Sequence, residues 1–157
     1  MKMIKTNRIS FGGTAAIVTS MALMTGLNAV NAGRSIMVSA LLIAAIADNL
    51  SDSLSVHIYQ ESERLERREA FLGTMSNFTT RFVVCLSFVL IVMLCSRHVA
   101  AVVGIVWGMS LLSALTYLLA RERNASVISE IAKHLVVAAA VLFVSLGVGH
   151  WISKHVA

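Results

Sequence analysis

The sequence contains no proline, only two cysteines, and charged residues make up just 13% of its 157 positions. Without proline, nothing in the chain forces a helix to stop. The cysteines, Cys85 and Cys95, lie ten apart in one apolar run. That spacing fits neither a metal site nor a disulfide framework, so packing is their expected role. The shortage of charge excludes more. Soluble domains are about one-quarter charged and about half apolar or less, whereas 57% of this chain is hydrophobic and its mean hydropathy is +0.81. Such a composition rules out a large extramembrane domain, a nucleotide-binding fold and disorder. At about 20 apolar residues per crossing, the length allows at most about five or six membrane spans. In so apolar a chain the net charge of +5 reads as an orientation signal rather than a nucleic-acid footprint. The expected partner is the lipid bilayer, with no nucleic acid.

What is present divides into five apolar stretches, at about 11–30, 35–60, 78–96, 99–120 and 131–152. No internal repeat or low-complexity linker separates them, so 1–157 reads as a single all-α, multi-pass domain. A cytoplasmic N-terminus places Lys2, Lys5, Arg8, Arg64, Arg67, Arg68, Arg81, Arg121, Arg123 and Lys133 on the inner side. Only Arg34, Arg97 and Lys154 fall outside, a strong positive-inside bias, and five spans put the C-terminus outside. The opening segment, with Ala29-Val30-Asn31-Ala32 before Gly33, also has the outline of a secretory signal. However, Gly12, Gly13, Thr14, Thr19, Ser20, Gly26 and Asn28 dilute its apolar run. Small residues at such spacing suit helix–helix packing, and a retained span is the expectation.

The second stretch carries the chemistry. Asp48 and Asp52 stand about 13 and 17 residues in from Ser35, which puts Asp48 roughly 20 Å from the outer end, near the bilayer centre. An ionised carboxylate there costs about 2.5–3.5 kcal/mol even on the gentler insertion scale. Spacing of four places both on one helix face, continued by Ser51, Ser55 and Tyr59, while Asn49, Ser53 and His57 form a second polar stripe. So polar a helix must line a wet cavity or sit inside a bundle or oligomer. A polar network that only fixes packing is the simpler alternative, but two aspartates and a histidine fit an ion or proton path better. Oxygen and nitrogen ligands of this kind suit manganese, ferrous iron or a similar divalent ion, and Glu61 lies four residues past His57, where it would hand a metal to the span. Glu130 and His134, four apart at the inner end of the fifth stretch, read first as helix-end anchors beside Lys133, with a proton relay as the alternative. Trp107 reads as packing. No Ser–His–Asp arrangement, phosphate loop or HExxH pair is present, so no enzyme activity is expected.

The stretch Ala47-Asp48-Asn49-Leu50-Ser51-Asp52 through Glu63 resembles the second helix of the vacuolar iron transporter family, and Phe11 to Ala32 looks like that family's glycine-rich first helix. Matched through Leu54-Ser55-Val56, the family's glutamate falls on Asp52 and its methionine on Asp48. Its first-helix aspartate falls on Ala15. The family's cytoplasmic metal-binding domain has no counterpart in the short segment Glu61 to Ser76. The resemblance implies a homodimer through the first and second spans and proton-coupled export of ferrous iron or manganese, the ion being cargo and no tightly bound cofactor being needed. Asp48, Asp52, His57 and Glu61 are then the expected ligands, supported by Asn49, Ser51, Ser55 and Tyr59. The expected location is a prokaryotic cytoplasmic membrane. A reading from another class is a structural or regulatory membrane subunit whose polar second span binds a partner helix.

Overall fold

Runs of Leu, Val, Ile and Ala unbroken by proline form helices from end to end in the computed structural model. It describes residues 3–62 and 67–156, with the side chains of residues 3–11, 61, 67, 69, 70 and 98 excepted. In order the elements are α1 (Met3–Ala29), α2 (Arg34–Ile43), a π-helical turn (Ala44–Asp48), α3 (Asn49–Ser62), α4 (Arg67–Leu94), α5 (Arg97–Glu122) and α6 (Val127–His155). α2, the π turn and α3 follow one another without a break, so the described residues make five long rods.

Among the described residues, four rods are long and apolar enough to cross a bilayer: Arg34–Gln60, Phe71–Leu94, Val99–Glu122 and Val127–His155. They make the chain an integral, multi-pass membrane protein. The fifth rod, α1, carries glycines, threonines and serines among its apolar residues. The reason lies in its place. α1 packs against α4, α5 and α6, and more lightly against α2. A helix surrounded by helices needs close fit rather than lipid solubility, and the glycines, threonines and serines that dilute α1 serve that fit.

One boundary also moves. The third rod begins at Arg67, well before the expected start near Phe78, because the polar stretch before Phe78 contains no breaker. Arg81, counted at the sequence level among the inner-side basic residues, is therefore inside the span.

The core forms where α1 meets its neighbours. Ile17, Met21 and Met24 of α1, Met37 and Leu41 of α2, Phe88 and Val92 of α4, and Leu112 of α5 are all buried in one cluster. α5 approaches α1 through Gly104 and Gly108: a Cβ at Gly104 would stand 2.7 Å from the Met24 terminal methyl, and one at Gly108 would overlap the Met21 sulfur. On the other side of α1, a Cβ at Gly149 of α6 would lie 2.6 Å from the Gly26 carbonyl oxygen and 2.7 Å from the Ala29 Cβ. Cys85 is buried beside Ala16 and Ala45 and accepts the Ser20 hydroxyl at 3.6 Å. Trp107 is less buried than expected, 42% exposed, and its indole N–H donates to Ser87 Oγ at 3.0 Å.

At one end of the bundle two arginines join the turns. Arg34 Nη2 donates to the Cys95 carbonyl at 3.0 Å. Arg97 donates to the Asn31 carbonyl at 2.9 Å and to Asn31 Oδ1 at 3.1 Å. Asn31 itself stands at φ 58°, a left-handed conformation that asparagine tolerates better than most residues.

Candidate functional site

Asp48 closes the π turn and Asp52 lies in the first turn of α3. A π turn inserts an extra residue into the helical ladder, and such turns recur at functional positions. Here it directly precedes the first carboxylate. Across the α3–α4 contact stands Arg81, whose side chain is 3% exposed. Arg81 Nη2 donates to Asp48 Oδ2 at 3.3 Å, and Arg81 Nη1 forms an ion pair with Asp52 Oδ2. The two carboxylates are 53% and 38% exposed on their own chain. One buried cation thus holds two half-open anions, leaving a net charge of −1 at the site.

Depth explains the pairing. Arg34 binds the Cys95 carbonyl, so these residues mark a common level. Asp48 lies 14 residues after Arg34 (48 − 34) and Arg81 lies 14 before Cys95 (95 − 81). At 1.5 Å per residue both sit roughly 20 Å from that end.

The second polar stripe is more deeply buried against the same helix, α4. Asn49 is fully buried; its Nδ2 donates to the Phe78 carbonyl at 2.9 Å, and its Oδ1 accepts from Ser53 Oγ at 3.5 Å. His57 Nδ1 lies 3.4 Å from Thr74 Oγ1. Gln60, also buried, packs on Gly73, where a Cβ would come within 2.5 Å of its Nε2. These side chains fasten α3 to α4.

The expected site residues therefore separate. Asp48 and Asp52 come together on Arg81. Ser51 and Ser55 are exposed beside them, with Ser55 Oγ donating back to the Ser51 carbonyl at 3.0 Å. Tyr59 is 65% exposed and further along. Asn49 and His57 also meet α4, at the Phe78 carbonyl and Thr74. The Glu61 side chain lies outside the described residues. Among the described residues of one chain, no three His, Cys, Asp or Glu side chains stand close enough to hold a metal ion together. Ala15 lines a different cavity, with Glu130 and His134. Glu130 is bound by Lys133, Nζ to Oε1 at 2.8 Å, as helix-end anchoring expects, and His134 Nδ1 is 2.8 Å from the Glu130 carbonyl. A carbonyl only accepts, so Nδ1 is the donor in this contact.

No family model, curated protein or solved structure matches the chain.

Sequence reasoning missed Arg81 and Asn77. Asn77 is 1% exposed, and neither of its amide atoms, nor Arg81 Nε, has a hydrogen-bond partner. Gly12 of α1 makes room for both, since a Cβ there would overlap Asn77 Oδ1 and come within 3.0 Å of Arg81 Cγ. The signal that finds Arg81 is the equal residue count from a shared end. Asn77 and Gln60 carry no such signal.

Around the carboxylates the face of α2 and α3 is apolar and open. Ile43, Ile46, Leu50, Leu54 and Ile58 are each more than half exposed. Such a surface is ordinary against lipid, but the half-open aspartates within it are not.

Proposed function

We propose that this protein is a membrane transporter of divalent metal ions, with Asp48 and Asp52 as the carboxylates that meet the cargo and Arg81 as their resident counter-ion. The observation that carries the reading is the buried guanidinium joined to two half-exposed carboxylates at mid-span. Cargo at this position faces a site already held by a tethered cation. To bind, a metal ion or proton has to displace Arg81 in part; when it leaves, Arg81 restores the pair. An empty site then never exposes two bare carboxylates to the low-dielectric interior.

Charge balance supports a paired arrangement. Each chain carries −1 at the site. Two copies joined across the open face of α2 and α3 would carry −2, which one divalent ion or two protons would neutralise. The interface would also cover the aspartates that a single chain leaves facing lipid. With Lys5, Arg8, Arg67, Arg68, Arg121, Arg123 and Lys133 at the end opposite Arg34 and Arg97, the positive-inside rule argues for a cytoplasmic position of that end. Export of ferrous iron or manganese against protons follows the resemblance to the vacuolar iron transporters.

Flux in proteoliposomes is the test. Native protein is expected to carry manganese or ferrous iron and to move protons the opposite way, and Asp48→Asn with Asp52→Asn to abolish both. If the double variant folds and transports as the native protein does, the assignment is lost. The alternative, a subunit whose polar span binds another membrane protein, is favoured by one fact: Arg81 already partners both carboxylates. Its signature is a stoichiometric foreign protein in the purified complex and no flux.

A further inference from the structure

Asn77 and Arg81 stand four residues apart on α4, and both carry buried polar atoms with nothing to bond. Neither the carbonyl oxygen nor the amide nitrogen of Asn77 has a partner, and Arg81 Nε is an unused donor. Buried polar atoms are nearly always paired, so each orphan calls for an explanation. An orphaned acceptor beside an orphaned donor has a direct one: the two pair in another state of the protein.

Their placement permits it. Residues four apart on a helix are neighbours, and helical side chains lean over the preceding turn, so the stem of Arg81 covers the turn that carries Asn77. A Cβ on Gly12 would overlap Asn77 Oδ1 and stand 3.0 Å from Arg81 Cγ. Both side chains therefore meet α1 at one point, where a bare glycine leaves them room. Nε is two bonds beyond Cγ. A turn of the arginine stem brings its N–H to Oδ1 at hydrogen-bond length, about 2.9 Å.

Charge is what holds Arg81 elsewhere. Nη2 donates to Asp48, and Nη1 faces Asp52 as an ion pair without a hydrogen bond. Among the described residues these two carboxylates are its ionic partners. A metal ion or protons that neutralise them remove the pull, yet the guanidinium stays charged and still needs an acceptor. We infer that Asn77 is the second seat of Arg81: when Asp48 and Asp52 are neutralised, the guanidinium turns to the Asn77 carbonyl, and it returns when they ionise again. Asn77 is thus a positioning residue that acts through Arg81. The inference takes from the transport reading only the cause of neutralisation.

Thermal melting in detergent tests the seat without any metal. Asp48→Ala with Asp52→Ala removes both acceptors, and Asn77→Ala is compared in that background and in the native one. Packing lost with the amide is common to both and cancels. Asn77→Ala is expected to lower the midpoint by roughly 3–10 °C more in the carboxylate-free protein, the worth of a hydrogen bond to a charged group. Equal shifts in the two backgrounds overturn the inference, since the amide would then serve packing or hold a water whatever Arg81 does. Should the double variant not fold, the same comparison with the same expectation is read in Asp52→Ala alone.

Manganese titration by calorimetry gives a second reading with both carboxylates in place. Asn77→Ala, which removes the seat, is expected to bind manganese about tenfold more weakly, and Asn77→Asp, which strengthens it, about tenfold more tightly. Weakening by both variants, or by neither, overturns the inference. A native protein that binds no manganese defeats the transport reading instead, and the melting comparison still decides on Asn77.

Discussion

Arg81 and its two aspartates differ in one chemical respect that governs their energetics. A carboxylate left without its partner in the membrane can take up a proton and become neutral, whereas a guanidinium stays charged. The guanidinium is also the buried member, 3% exposed against 53% and 38%. Removing both carboxylates strands a buried charge, and breaking a buried pair in this way costs about 3–5 kcal/mol. Asp48→Asn with Asp52→Asn is therefore expected to destabilise the protein by about that much, and Arg81→Met by distinctly less. The triple variant should regain most of the loss. Thermal melting in detergent, read by far-ultraviolet circular dichroism, orders the three; equal losses for the carboxylate and arginine variants would contradict the argument. The carboxylates were legible in the sequence because lipid penalises them wherever they stand. Their partner was not, since Arg81 sits just before the most apolar run, Phe82 to Leu94, and so reads as the residue that ends it.

Helices were legible as elements and less so as neighbours. Apolar length gave the rods, and the missing proline predicted that α2 would continue into α3. Hydropathy could not show that α1 is enclosed, because dilution by small residues has the same appearance in a signal segment, a weak span and a central helix. Only the packing separates these cases. The contacts of α1 also differ in kind on its two sides. Toward α5 the atoms near Gly104 are the flexible end of Met24, which can turn aside. Toward α6 the atoms near Gly149 are the Gly26 carbonyl and the Ala29 Cβ, which move only with the backbone. Gly149→Ala is expected to cost about 1–3 kcal/mol as an overpacked contact, and Gly104→Ala less than about 1 kcal/mol. Midpoints of chemical denaturation in mixed micelles would distinguish them, and equal shifts would show that α1 and α6 part more easily than their contact implies.

Across the whole molecule, sequence composition placed the chain in a membrane, and its basic residues divided into two groups that, among the described residues, lie at opposite ends of the bundle. Moving Arg81 from the inner group into the span leaves that division standing. The site was legible only in part because a stripe on a helix does not reveal which side meets protein: of two polar stripes, Asn49 and Ser53 are buried against α4, and Asp48, Ser51 and Ser55 stay exposed. The ties at the Arg34 and Arg97 turns bear on how such a bundle can move. Arg34 fastens α2 to the end of α4, and Arg97 fastens α5 to the end of α1. A bundle laced at one rim pivots there, like tongs about their rivet, so a displacement of α3 against α5 grows with distance from that rim. Spin-label distances to α5 from the continuous α2–α3 rod should spread more widely between Ser62 and Glu122 than between Ser39 and Val102 near the laced end, and equal spreads would mean the lacing does not act as the pivot. The mid-span carboxylates would then lie partway along the lever, where a modest swing is enough to part a salt bridge.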